Sequence, residues 1–171
     1  LDNEESISKA AQWVEKEYAT LDLLVNNAAI LPNADNAAHM TIDSLSKTLQ
    51  TNLYGPLICF QKMLPLLKKS DAPRVVNVTS GMGTFTEMGS GYTAYRLSKA
   101  AINSLTNMMA IDMKIEGMKI ISACPGWCQT DMGSPNAPRT ATDGAASIVW
   151  AATALEAESG KIYRDGKFIG F

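Results

Sequence analysis

The sequence predicts an α/β protein with a parallel sheet carrying helices on both faces. Three observations predict it. The apolar runs at Leu21–Val25, Arg74–Val78 and Lys119–Cys124 are continuous rather than alternating, as parallel strands covered on both sides require. Stretches of helical period lie between them, so strand and helix alternate along the chain. Polar residues then collect just past the strand ends, where ligands sit in open parallel sheets.

Residues 4–18 read as a helix, with Ile7, Ala10, Ala11, Val14 and Tyr18 at i, i+3, i+4 spacing, Asn3 as cap, and Glu4 and Glu5 in the first turn. Leu21 to Ala29 is a strand running into the polar turn Asn26-Asn27, and 30–40 is a loop rich in Pro, Asn and Asp. A long helical pattern runs from Ile42 to Leu67, capped by Thr41, with a bend or break expected at Pro56 and at Pro65. Arg74 to Ser80 is a second strand, opening into the Gly-rich loop 81–91. Tyr92 to Glu116 is a helix stopped by Gly117. Lys119 to Cys124 is a third strand, stopped by Pro125-Gly126, and 127–141 is a loop. An Ala-rich helix spans Thr142 to Leu155, and a short strand at Lys161–Tyr163 precedes the turn at Asp165-Gly166. With no repeat or linker, residues 1–171 form a single domain.

Composition narrows the function classes. The 171 residues are 46% hydrophobic and 19% charged, with net charge −2 and no basic run longer than Lys68-Lys69. That gives no electrostatic reason to expect nucleic acid or an anionic membrane. No apolar run approaches the ~18 residues of a membrane span. Cys59, Cys124 and Cys128 read as reduced thiols, which points to the cytoplasm. A single histidine, His39, leaves little material for a metal site or a Ser-His-Asp triad, and no metal is expected. Trp13, Trp127 and Trp150 read as packing residues, with Trp127 adjoining the strand-end polar cluster.

The chemistry centres on Gly91-Tyr92-Thr93-Ala94-Tyr95-Arg96-Leu97-Ser98-Lys99. Tyr95 and Lys99 are four apart on a helix and share one face. A free Tyr titrates near ~10. A cation one turn away favours the phenolate and brings that value nearer the working range. The spacing alone is common to any half-buried ring beside a solvated charge. Its company distinguishes it: Asn26 and Asn27, Thr79 and Ser80, and Pro125, Gly126 and Thr130 all fall on the same sheet edge. Each has a plain structural alternative: Ser80 as a strand end, Asn52 as a partner for backbone at the Pro56 bend, and Asn26-Asn27 as turn formers.

Five motifs in order resemble the short-chain dehydrogenase/reductase family: Asn26-Asn27-Ala28-Ala29, Asn52 within Thr51-Asn52-Leu53-Tyr54-Gly55-Pro56, Ser80, Tyr95-x-x-x-Lys99, and Pro125-Gly126-Trp127-Cys128-Gln129-Thr130. Two stretches, Pro125 to Gly133 and Gly160 to Lys167, look most like carbonyl-reductase-type members. The resemblance implies a Rossmann-like, doubly wound parallel sheet in three α/β/α layers. It implies an oxidoreductase transferring hydride between NADP(H), preferred over NAD(H), and a carbonyl or alcohol. Asn52, Ser80, Tyr95 and Lys99 would be catalytic. Tyr95 would exchange the proton and Ser80 hydrogen-bond the reacting oxygen. Lys99 would tune Tyr95 and hold the ribose, and Asn52 would hold a water linking Lys99 to solvent. Asn26 and Ala28 would line the adenosine side, and Pro125, Gly126 and Thr130 the nicotinamide end. A homodimer or homotetramer is expected, through helices 42–67 and 92–116.

The family's opening strand, Thr-Gly-x-x-x-Gly-x-Gly turn and next strand have no counterpart in these residues; no Gly precedes Gly55. The chain is therefore expected to be a partial Rossmann domain whose strand at 22–27 has an open edge. A catalytically silent relative acting as a binding or oligomerisation module is the alternative.

Overall fold

The computed structural model describes residues 1–171. In chain order its elements are helix α1 (Glu4–Glu17), strand β1 (Leu23–Asn26), helix α2 (Ile42–Leu49), a π-helical turn (Gln50–Tyr54), helix α3 (Gly55–Leu67), strand β2 (Arg74–Val78), helix α4 (Thr93–Asp112), strand β3 (Lys119–Ala123), helix α5 (Ala141–Thr153), and strands β4 (Ile162–Arg164) and β5 (Lys167–Phe168). The sheet order is β1-β2-β3-β4-β5. The first four strands are parallel, and β5 returns antiparallel to β4 across Asp165-Gly166. The short β5 lies beyond the single final strand expected from the sequence.

Alternation in β2 and β3 divides the core. Val75 and Ile120 face α3 and α4, joining Phe60, Leu66, Leu67 and Met109. Val76, Ile121 and Ala123 point the other way, onto Ala151 of α5 and Tyr163. This is the doubly wound, Rossmann-like three-layer arrangement. Cover on both faces holds for β2, which is buried throughout, but not for β1. Leu23 and Val25 remain 37% and 38% exposed, because α5 lies over β2, β3 and β4, and β1 has β2 as its only strand neighbour.

The helices depart from the sequence pattern in ways packing explains. In α1 only Ile7 and Ala11 are buried; Ala10, Trp13 and Tyr18 face solvent, Trp13 and Tyr18 meeting edge-on. The expected break near Pro56 is a π-helical turn. Gly55 N–H reaches back five residues to Gln50 O, so the helix widens just before the proline. Pro65 makes no break, since it sits in the last turn of α3, where few ladder bonds remain to lose. Helix α4 stops at Asp112, four residues short of Glu116. Ile115 there is almost fully exposed, and Gly117 (φ +67) closes a turn onto Lys114 O. Thr140 and Asp143 form a capping box at the start of α5. Its far end stops at Thr153 rather than Leu155, where the buried Arg74 donates to the carbonyls of Ala151 and Ala154 at 2.9 Å each.

A polar ladder crosses the sheet beneath α4. Asn26, Asn77 and Ser122 are cross-strand neighbours. Asn26 Nδ2 donates to Asn77 Oδ1 (2.8 Å), Asn77 Nδ2 to Thr106 Oγ1 (2.9 Å), and Ser122 Oγ to the same Thr106 Oγ1 (3.0 Å). All four residues are buried, so the ladder aligns the strand ends only while every member keeps its partner. Asn77→Val should therefore lower unfolding stability by about 1–3 kcal/mol. Urea denaturation with an unchanged midpoint would contradict this role.

Candidate active site

A cleft of about 1060 Å3 lies at the carboxyl ends of the strands. Of the residues singled out from the sequence, Ala28, Ser80, Tyr95, Lys99, Pro125, Gly126 and Thr130 line it, and Asn26 and Asn52 do not.

Tyr95 and Lys99 project from the first two turns of α4 and are only 8% and 3% exposed. Lys99 Nζ lies 5.5 Å from the Tyr95 ring centroid and donates to Val78 O, the last residue of β2, at 2.8 Å. The loop after β2 is drawn onto the same helix. A Cβ on Gly83 would meet the Lys99 carbonyl carbon at 2.5 Å, so only glycine permits this approach. Asn103 Nδ2 donates to Gly83 O at 3.2 Å and holds it there. Ser80 caps the short 3₁₀ turn Gly81–Gly83, its Oγ accepting from Met82 N at 3.2 Å. Its hydroxyl opposes the effect of burial on the Tyr95 phenol, favouring the phenolate.

The Tyr95 pKa does not come down toward the working range, because burial governs it. Burial pushes the phenol up to about 12, against the opposing pull of Ser80. The same burial lowers Lys99 to about 8. Desolvation disfavours the charged form of each group and is the largest cause of both shifts. Near pH 7 the site thus holds a protonated phenol beside a mostly charged ammonium.

The two asparagines outside the cleft are committed to structure. Asn26 gives its amide to Asn77 and to Pro56 O. Asn52 sits in the π-helical turn, where Oδ1 accepts from Ile30 N (2.8 Å) and Nδ2 donates to Ile30 O (2.9 Å) and Ser98 Oγ (3.0 Å). It thereby fixes the segment after β1, whose Asn27, Ala28 and Ala29 form one wall of the cleft. On the opposite wall Gly126 adopts φ +78, and Thr130 Oγ1 accepts from Gly133 N at 3.1 Å.

Four cleft residues escaped the sequence reading. Cys124 Sγ receives Gly81 N (3.2 Å), Gly126 N (3.4 Å) and the Arg164 guanidinium (3.3 Å). Arg164 also pairs with Glu87 at 2.9 Å, bracing the loop after β2 against β4. Arg139 pairs with Asp165 through both nitrogens, at 2.7 Å each. The partners in each ion pair are 77 and 26 positions apart, so no local spacing could reveal them.

The short chain dehydrogenase family model matches residues 1–141. The chain belongs to that family. Among its relatives, the short-chain dehydrogenase anuI of Penicillium roqueforti is 36% identical over 168 residues, covering 90% of this chain and 65% of that protein. The C-signal protein of Myxococcus xanthus is 34% identical over 145 residues, covering 84% and 87% respectively. The carbonyl reductase Sniffer of D. melanogaster superposes with TM-score 0.93 at 28% identity, over 99% of this chain and 75% of that one. An NADPH-bound carbonyl reductase from chicken fatty liver gives 0.92 at 28% identity, over 99% and 74%. This chain thus spans just under two thirds of the fungal dehydrogenase.

The depressed Lys99 pKa has a consequence for stability. Between about pH 8 and the ordinary lysine value of 10.5, the unfolded chain holds a proton that the folded chain has released. The buried charge therefore opposes folding fully below pH 8, and the opposition fades as pH rises to 10.5. Relative to Lys99→Met, the wild type should gain on the order of 3 kcal/mol over that interval. A wild-type-minus-mutant stability difference that stays flat from pH 7.5 to 10.5 would contradict the shift.

Proposed function

We propose that the protein is an NADP(H)-preferring oxidoreductase acting on a carbonyl or alcohol substrate. The observation that carries this reading is the convergence of Tyr95, Lys99 and Ser80 on one cleft wall. Support for the cofactor and substrate class comes from the carbonyl reductases it resembles, one of them NADPH-bound.

The residues present fit the nicotinamide half of such a cofactor. Gly126 presents bare backbone to the cleft, and the Nε of neighbouring Arg139 is buried without a partner. When bound, the cofactor supplies or accepts the hydride. The chain supplies position, a proton and polarity. In reduction, Tyr95 gives its phenolic proton to the substrate oxygen, and Ser80 donates a hydrogen bond to that same oxygen. Lys99 keeps positive charge beside the phenolate that forms and would hold the ribose of the bound cofactor. Pro125, Gly126 and Thr130 shape the nicotinamide end. The adenosine side falls to the segment carrying Ala28, since the Asn26 amide is used within the sheet. Asn52 would hold a water linking Lys99 to solvent, with both hydrogens of its amide nitrogen already given to Ile30 O and Ser98 Oγ. The three free thiols fit a cytoplasmic setting.

A second reading is a non-catalytic binding module, and the exposed Leu23 and Val25 of β1 favour it. One experiment separates the two. Full-length wild type and Tyr95→Phe are assayed for NADPH oxidation with acetophenone and hexanal, and for NADPH affinity. The enzyme reading expects kcat to fall about 10²–10⁴-fold in Tyr95→Phe with cofactor affinity retained. A variant with near-normal kcat would remove Tyr95 from its role. A wild type that neither binds NADPH nor reduces either compound is what the binding-module reading expects.

The exposed apolar side chains Ile42 of α2 and Leu97, Met108 and Ile111 of α4 support self-association through these helices. Light scattering at micromolar concentration should show a homodimer or homotetramer, and a strict monomer would refute it.

A further inference from the structure

We propose that Arg96 is a positioning residue: it clasps the loop between β2 and α4 and so holds Tyr92 as the substrate-side wall of the cleft. The kinetic part of this inference rests on the function proposed above.

Arg96 follows Tyr95 directly on α4. Its guanidinium faces no carboxylate, whereas Arg139 and Arg164 have Asp165 and Glu87. Instead it meets four main-chain carbonyls of a single loop. Nε donates to Gly91 O (2.9 Å), Nη1 to Glu87 O (3.2 Å) and Met82 O (3.5 Å), and Nη2 to Ser90 O (3.5 Å). The near half of the loop has other ties, through Phe85 N to Phe171 O, Thr86 to Ile169 O, and Glu87 to Arg164. From Met88 to Gly91 the only hydrogen bonds come from Arg96. The loop passes so close that a Cβ on Gly89 would lie 3.2 Å from Arg96 Nη2.

What the clasp holds is strained. Tyr92 adopts φ +51, ψ +38, a left-handed conformation that L side chains avoid. As N-cap of α4 its carbonyl accepts from Arg96 N at 2.9 Å, but its side chain makes no capping hydrogen bond. Such conformations persist where neighbours over-determine them. Arg96 holds Gly91 O just before it, and Asp35 O accepts both Thr93 N and Thr93 Oγ1, at 3.1 Å each, just after. The outcome is an aromatic ring lining the cleft three residues from Tyr95, where a substrate would meet it. Lysine cannot replace the clasp, because a single ammonium lacks the planar fork that reaches carbonyls on both sides of the loop.

The test uses full-length Arg96→Lys, Arg96→Met and Tyr92→Gly, with two readouts. The first is cleavage after Glu87 by a glutamyl endopeptidase, followed by mass spectrometry. The second is steady-state reduction of acetophenone and hexanal by NADPH, with NADPH affinity measured separately. Both Arg96 variants should be cut at Glu87 at least tenfold faster. KM for the carbonyls should rise about tenfold, with kcat within threefold and NADPH affinity unchanged. Tyr92→Gly, which relieves the strain and leaves the clasp, should raise KM with no faster cleavage and no lower Tm. Unchanged cleavage in both Arg96 variants would overturn the proposal whatever the kinetics. So would a fall in kcat at constant KM, which would place Arg96 with the chemistry, or an unaltered KM in Tyr92→Gly. A wild type that neither binds NADPH nor reduces either probe, with both Arg96 variants cut faster, would sink the oxidoreductase reading and leave the clasp standing.

Discussion

The bond from Lys99 Nζ to Val78 O is the constraint around which the site is assembled. It joins the first turns of α4 to the end of β2, and its geometry limits everything nearby. For the ammonium to reach Val78, the helix must lie against the loop that leaves the strand, which Gly83 permits and Asn103 secures. With α4 in that place, Tyr95 is carried to the cleft beside Ser80. Two turns beyond Lys99, Thr106 meets the Asn77–Ser122 ladder, so the same helix position also sets the alignment of the strands below. Site and sheet are therefore one mechanical unit.

Much of this was legible in the sequence, and the boundary of legibility is physical. The runs at 74–78 and 119–123 are apolar on both faces because both faces are covered, so composition and structure agree. Leu23-Leu24-Val25 has the same composition and a different fate, since a strand's sequence records what it can bury and not whether a neighbour lies over it. The two prolines make the same point. Each removes one donor, but the effect depends on how much helix follows: Pro56 stands just after a π turn, whereas Pro65 falls where α3 is already ending. Within the cleft, Ser80, Tyr95 and Lys99 could be placed because strand end and helix face fix their direction. Asn26 and Asn52 carry amides whose partners lie 51, 22 and 46 residues away. Nothing local distinguishes such an amide from one turned toward a ligand.

The sign of the electrostatic effect was the least legible feature. Helical spacing brings a cation near a phenol, and in water that favours the phenolate. Burial changes the balance because both groups lose hydration together, and neither charge fully replaces it for the other. Lys99 directs a proton at a backbone carbonyl rather than at the phenolic oxygen, so part of its charge is satisfied elsewhere. A buried phenol held well above neutrality is an idle base but a retained acid.

The surrounding charges follow from the same shortage of water. Arg164 and Glu87 neutralise each other at the mouth of the cleft while spanning two chain segments, and the guanidinium also donates to Cys124 Sγ. The pairing dictates the residue beneath it, because a Cβ on Gly81 would lie 1.9 Å from Glu87 Oε2. Arg139 and Asp165 repeat the device on the other side, with Gly126 passing so closely that a Cβ there would meet Arg139 Cδ at 2.7 Å. Glycines thus mark where an ion pair crosses the backbone. Charged side chains and bare backbone line the cleft, while one of its walls is fixed by a buried lysine whose charge folding alone would disfavour.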